Sequence, residues 1–251
     1  AFGVKVRPSA MCWWEKDGAD VKLHLDVRCG TYGVELGGRK LEVAKIVMTS
    51  YALEEADTPV EVFEACRAFC SEMCDDPDCR DTVIYGGNNW YYAYGKSSAK
   101  EILGDSAYLA EMTEGIENRP FMVMDDGWQI DHSDSYNGGP WRVGNADYGD
   151  MGELAAQMRA KNVRPGIWFR PLYDHSADIP AEWRLERNAE VFDISVPEVL
   201  EHIAQDIRQL GDWGYELIKH DFSTYDIFGC WGFEMGTRLT NGSWRFHDHT
   251  K

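Results

Sequence analysis

Hydrophobic positions recur along this chain with two different periods, and the change from one to the other divides it. Over the first fifty residues the period is two: Val21-Lys22-Leu23-His24-Leu25-Asp26-Val27 alternates strictly, and Leu41-Glu42-Val43-Ala44-Lys45-Ile46-Val47 nearly does. Such alternation marks half-buried β-strands, and Gly37-Gly38 between the runs is a turn signal. The strands are too few to close a sandwich, so residues 1–55 read as the trailing strands of a β-sandwich domain. A helical linker over 56–80 follows, its helix spanning Pro59–Met73 and stopped by Asp75-Asp76-Pro77-Asp78.

From residue 81 onward, strands and helices alternate. Apolar runs predict strands at 82–85, Phe121–Met124, 166–169 and 215–218. The intervening helices carry start signals: Ser98 with Glu101 and Ser195 with Glu198 as capping boxes, and Asp150 as an N-cap with Glu153 behind it. Met151, Leu154, Ala155 and Met158 fall on one helix face, and Val199, Ile203, Ile207 and Leu210 on another. Gly211 and Gly214 are the stop signals of the last helix. The pattern is α/β. Four strand–helix units over 81–251 are about half of a (β/α)₈ TIM-type barrel, which takes roughly 250 residues. Half a barrel leaves an unpaired edge, so the expectation is the first half of a barrel within a longer protein, with an open doubly wound sheet as the alternative.

Charge narrows the partners. Lys and Arg total 25 against 43 Asp and Glu, a formal net charge of −18, which argues against nucleic acid and anionic membrane surfaces. No apolar stretch reaches the roughly 20 residues of a membrane helix. An acidic surface tolerates neutral ligands such as sugars. Of seven cysteines, Cys66, Cys70 and Cys74 share a helix face and read as buried free thiols rather than metal ligands. No metal or cofactor is expected, self-association is left open, and reduced thiols point to the cytoplasm unless a secretion signal was removed. The glycosylation triplet Asn241-Gly242-Ser243 and the pair of histidines in His247-Asp248-His249 lack supporting context.

The chemistry gathers at the strand ends. Lys219-His220-Asp221 closes the fourth apolar run. Strand alternation points Lys219 and Asp221 the same way and His220 the other. A neighbouring ammonium favours an ionised carboxylate, suited to act as nucleophile or charge stabiliser; a structural ion pair is the competing reading. Retaining cleavage of glycosides needs such a group with a second, protonated carboxyl about 5–5.5 Å away. Asp125-Asp126-Gly127-Trp128 ends the second run, and paired acceptors suit a ligand rich in hydroxyl donors. Trp90, Tyr91, Tyr92, Tyr94, Trp128, Trp141 and Trp168 crowd the same rim, where sugar rings could stack.

Four stretches, in one order, carry a resemblance: Asn88-Asn89-Trp90-Tyr91-Tyr92-Ala93-Tyr94, Val123-Met124-Asp125-Asp126-Gly127-Trp128-Gln129, Arg164-Pro165-Gly166-Ile167-Trp168 and Ile218-Lys219-His220-Asp221. Together they resemble the α-galactosidase clan of glycoside hydrolases, including the branch with raffinose synthases. The resemblance implies a double-displacement mechanism on terminal α-galactosides or related α-glycosides, with Asp221 as nucleophile. It implies that Lys219, Asp125 and Asp126 bind sugar hydroxyls and that Trp90 and Trp128 shape the pocket, with Trp168 beside them. The family's acid/base follows a later strand, so this chain should lack it and be inactive alone. Two departures stand out: His220 occupies a position commonly aromatic, and Arg170-Pro171-Leu172 replaces a Glu-Pro-Glu-like stretch. Arg170 either recognises an extended or acidic substrate or pairs with an aspartate. A transglycosylase and a non-catalytic sugar-binding barrel are the other readings.

Overall fold

The computed structural model describes residues 1–27, 36–52, 58–77, 82–186 and 188–229. These fall into two compact units, one within Ala1–Asp81 and one within Thr82–Phe246. The glycosylation triplet at 241–243, the histidines at 247–249 and Cys79 lie outside the described residues.

The first unit pairs β1 (Phe2–Val4) with β4 (Ile46–Met48) and β2 (Met11–Asp17) with β3 (Asp20–Asp26), both antiparallel. The alternating run at 21–27 is thus a strand, whereas of 41–47 only the end pairs as β4. Helix α1 (Pro59–Met73) has the expected bounds because its start is doubly specified: Thr58 Oγ1 accepts from the Glu61 amide, and Pro59 occupies the first turn. Phe69 is its buried residue, with its ring and Met73 Sδ against Gly3, where a Cβ would approach them to 2.9 Å or less. Cys66 and Cys70 sit off that face and are exposed, not buried as expected; Cys12, Cys66, Cys70 and Cys74 are free thiols.

The second unit is α/β. Its elements are β5 (Gly86–Asn88), α2 (Trp90–Ala93), α3 (Ala99–Met112), β6 (Phe121–Met124), α4 (Met151–Ala160), β7 (Arg164–Phe169), the hairpin β8 (Arg184–Leu185) and β9 (Asn188–Phe192), α5 (Pro197–Asp212), β10 (Leu217–His220) and α6 (Ser223–Phe228). Strands β5, β6, β7 and β10 form one parallel sheet in the order β10-β7-β6-β5. Sequential parallel neighbours with helical crossovers are the arrangement that strand–helix alternation predicts.

Two strands are displaced from their expected positions. The first is not 82–85, where Val83 and Ile84 are exposed, but Gly86–Asn88. The reason is steric: at Gly86, with φ +154°, a Cβ would stand 1.8 Å from the Phe121 carbonyl oxygen, so this approach to β6 admits only glycine. The fourth begins two residues later than expected, which puts Lys219 and His220 inside the strand. Helix starts differ too. Asp150 caps α4 as expected, accepting from the Glu153 amide at 2.8 Å. Ser98 is an N-cap but spends its hydroxyl on Glu101 Oε2 instead of the backbone. For α5 the N-cap is Val196 with Pro197 behind it, because Ser195 is tied by its amide and hydroxyl to Asp193 Oδ1. Gly211 lies inside α5, and Gly214, at φ +99°, follows its end.

The main core is built by Met122, Met124, Ile167 and Phe169 from the sheet with Met151, Leu154, Ala155 and Met158 of α4 and Ile102 of α3. Val199 and Leu210 of α5 are buried, but Ile207 is exposed. No described helix is long and apolar enough to cross a membrane.

One buried acid makes the fold pH-sensitive. Asp206 on α5 is 3% exposed, with Arg142 Nε 3.8 Å and His202 Nε2 3.6 Å from its carboxylate. Burial pushes its pKa up to about 7. The folded state therefore keeps a proton that the unfolded chain releases near pH ~4, and stability falls as pH rises from about 4 to about 7, by on the order of a few kcal/mol. His202, whose pKa is lowered mainly by burial, contributes the opposite slope below its ordinary range. Urea unfolding across that window should therefore show a downward slope in the native protein relative to Asp206→Asn; parallel curves would contradict the assignment.

Candidate active site

Side chains alternate along β6, β7 and β10, and the register aligns them across strands. Met124 pairs with Ile167 and Trp168 with Lys219, so Asp125, one residue past β6, stands level with Trp168 and Lys219. Two inter-strand spacings separate β6 from β10, about 9–10 Å. The long lysine stem crosses that gap over Trp168, and Lys219 Nζ donates to Asp125 Oδ2 at 2.6 Å. Asp221 follows two residues after Lys219 on the same side, its amide continuing the ladder to the Phe169 carbonyl. The three levels meet in a pocket of about 190 Å³ lined by Trp90, Asp125, Asp126, Trp168, Lys219 and Asp221, with Phe222 completing the wall. It opens at the carboxyl ends of the parallel strands, where α/β proteins place their sites.

Each acid is held by named donors. Asp125 is nearly buried; its Oδ2 also accepts from Asn88 Nδ2 at 2.6 Å, and its amide donates to Asn89 Oδ1 at 2.7 Å. Its Oδ1 accepts from the Asp126 amide at 2.9 Å, so the first acid fixes the backbone of the second. Asp126 Oδ1 accepts from Gln129 Nε2 at 2.8 Å, with His132 Nδ1 3.3 Å away. The chain can turn here because Gly127 has φ +117° and packs so closely on Gly95 that a Cβ would lie 2.4 Å from its carbonyl oxygen. Asp221 Oδ2 accepts from Trp168 Nε1 at 2.9 Å and Oδ1 from the Phe222 amide at 2.9 Å.

Of the residues expected in the site, six converge: Trp90, Asp125, Asp126, Trp168, Lys219 and Asp221. Trp128 does not. It is fully buried in the core, its Nε1 donating to the Trp168 carbonyl, and the Trp141 ring packs against both Trp128 and Trp168. Tyr91, Tyr92 and Tyr94 are exposed outside the pocket. Arg170 is buried behind Phe222, paired with Asp226. The expected partnership of Lys219 with Asp221 is also revised: the ammonium bonds to Asp125, which the register places within its reach, and Asp221 takes its two donors from Trp168 and Phe222. Asn88, Asn89, Gln129 and Phe222 were not anticipated. The two asparagines stand in a quoted motif, but only the fold shows what they bond.

A second, more open cleft of about 430 Å³ is lined by Gly127, Lys96, Ser97, Glu101, His132 and Asp134 among others. No group of three or more His, Cys, Asp or Glu side chains among the described residues could hold a metal ion.

Fold and site thus define an α/β protein with an acid-lined pocket at the carboxyl edge of a parallel sheet. The chain is similar to the galactosidase domain of an alpha-galactosidase–sucrose kinase, at 23% identity and TM-score 0.49, over 57% of this chain and 21% of that one. It is similar to an alpha-galactosidase from Thermus thermophilus in complex with p-nitrophenyl alpha-D-galactopyranoside, at 23% identity and TM-score 0.46, over 64% and 34%. For a GH36 alpha-galactosidase from Geobacillus stearothermophilus the values are 23%, 0.44, 57% and 21%. The chain therefore spans from about a fifth to a third of the length of these proteins. No protein-family model and no curated protein matches it.

Asn88 donates to an acid with little access to water, so Asn88→Ala should cost about 1–3 kcal/mol in chemical unfolding. An unchanged unfolding midpoint would show that the contact contributes nothing.

Proposed function

We propose that this chain forms part of a retaining glycoside hydrolase acting on terminal α-galactosides by double displacement, with Asp221 as the nucleophile. The reading rests on the four motifs together with one observation: Asp125, Asp126 and Asp221, read from two separate strand ends, line a single small pocket with Lys219. Had the acids opened onto different surfaces, the motifs would have had no common chemistry.

Each residue has a role in this reading. Asp221 attacks the anomeric carbon; the Trp168 and Phe222 N–H groups fix its orientation, so little reorganisation is needed on the way to the covalent glycosyl ester. Lys219 and the two acids of β6 supply one cation and several acceptors for sugar hydroxyls. Bonds to a charged partner are the stronger kind, and they determine which hydroxyl configuration fits. Trp90 offers an apolar face for the C–H side of the ring. The group that protonates the leaving oxygen is a second carboxyl, for which the pocket's own acids have no free role. The resemblance assigns that step to a residue after a later strand. A cytoplasmic location belongs to the same proposal.

In the full-length protein, Asp221→Asn should lower kcat on an aryl α-galactoside by several orders of magnitude while leaving the fold intact by circular dichroism. Turnover within tenfold of the native value would remove Asp221 as nucleophile. Asp126→Ala should raise KM more than it lowers kcat; an unchanged KM with full activity would contradict a hydroxyl-binding role.

A further inference from the structure

Asp221 is followed by a backbone irregularity. Phe222 has φ +63°, one of four non-glycine residues with positive φ among the described residues, a conformation that a bulky side chain adopts only where the surroundings enforce it. The conformation has a local consequence. It accompanies a chain that curls so that the Phe222 amide points at Asp221 Oδ1, 2.9 Å away.

What enforces it lies directly behind. The Arg170 guanidinium stacks on the Phe222 ring, 4.3 Å from its centroid, and on the Tyr173 ring at 3.9 Å. It is held there by a two-point bond to Asp226: Nε to Oδ2 at 3.0 Å and Nη2 to Oδ1 at 2.6 Å. Its remaining arm, Nη1, bonds to Asn137 Oδ1. Both partners of the ion pair are buried, Arg170 side chain 8% and Asp226 1% exposed. The Phe222 carbonyl is the N-cap acceptor of α6, taking the first helical backbone bond from the Asp226 amide at 2.8 Å. Phe222 is thus held at its ring by Arg170 and at its carbonyl by the first turn of α6, the helix that also carries the arginine's partner. Burial holds the Asp226 carboxyl above the usual carboxylate range, with Arg170 opposing the rise.

We infer that Arg170 and Asp226 are positioning residues for Asp221: their buried ion pair clamps Phe222 in the left-handed conformation and so aims its N–H at the attacking carboxylate. The inference rests on the reading of Asp221 as nucleophile and deepens it. Neither residue lines the pocket around Asp221. A flat guanidinium is required, since an ammonium has neither a planar face to stack nor two parallel donors on separate nitrogens to match both carboxylate oxygens.

The test is steady-state kinetics of Arg170→Lys, Asp226→Asn and the double variant in the full-length protein, with an aryl α-galactoside as substrate. Active-site concentration is fixed by titration with a covalent fluorosugar inactivator, which removes any contribution from misfolded protein. The clamp predicts kcat reduced at least tenfold in each single variant with KM within about twofold, and a double variant no worse than the weaker single, because residues acting as a unit are non-additive. A raised KM with unchanged kcat would overturn it in favour of substrate contact by Arg170. Full kcat per titrated site would overturn it in favour of a purely structural pair, and so would additive losses. Should Arg170→Lys fail to fold, Asp226→Asn, which keeps the shape of the acid, decides by the same criteria. Asp221→Asn is run in parallel: turnover retained there defeats the parent reading, whereas its loss beside unaffected clamp variants defeats only this inference.

Discussion

The reach of one lysine over one tryptophan organises this site. Asp125 follows β6 and Lys219 lies on β10, strands separated in the sheet by β7, and the bond between them closes the pocket above Trp168. A carboxylate as deeply buried as Asp125 is costly without a partner. The ammonium and Asn88 offset that cost from opposite sides, and the lysine's own partial exposure leaves it able to meet a ligand. The same bond sets the spatial relation of the acids: with Asp125 fixed, its Oδ1 holds the Asp126 amide, and Asp221 stands two residues beyond the lysine. Register, more than any single contact, makes the three carboxylates neighbours.

Backbone devices sharpen what register begins. Gly127 packs on the Gly95 backbone where a Cβ would not fit, which lets the chain turn immediately after β6 and keeps both tandem acids at the mouth. Phe222 performs the corresponding turn after Asp221 without being glycine, and the surrounding Arg170, Asp226 and Tyr173 enforce what glycine would have adopted freely. The aromatic side chains divide in the same spirit. Trp128 and Trp141 are core that supports Trp168 from behind, while Trp90 and Trp168 face the ligand space.

Much of this was legible in the residues and some was not, for identifiable reasons. Helix α1 and strand β6 were readable because their signals are local: a proline at the start with an Asp-Asp-Pro-Asp stop, and four consecutive apolar residues ended by acids. Strand β5 was not, because its glycines carry no strand propensity and matter only through the closeness of Phe121. The serines at 98 and 195 follow a capping pattern but bond to other side chains that lie near in sequence, which spacing alone does not reveal. The convergence of the acids was foreseen, yet the identity of the lysine's partner was not. Adjacency in sequence favoured Asp221; the fold gave Asp125, 94 residues away. Arg170 presented both options, substrate contact and pairing with an aspartate, and burial selects the second.

The central claim is that the carboxylate of Asp221 forms a covalent bond to the sugar. A fluorinated α-galactosyl fluoride, incubated with the full-length protein and followed by proteolysis and mass spectrometry, tests it most directly. The account predicts one equivalent of sugar ester, located at Asp221. A label on Asp125, Asp126 or any other side chain, or hydrolysis of the α-galactoside with no trappable ester, would contradict it.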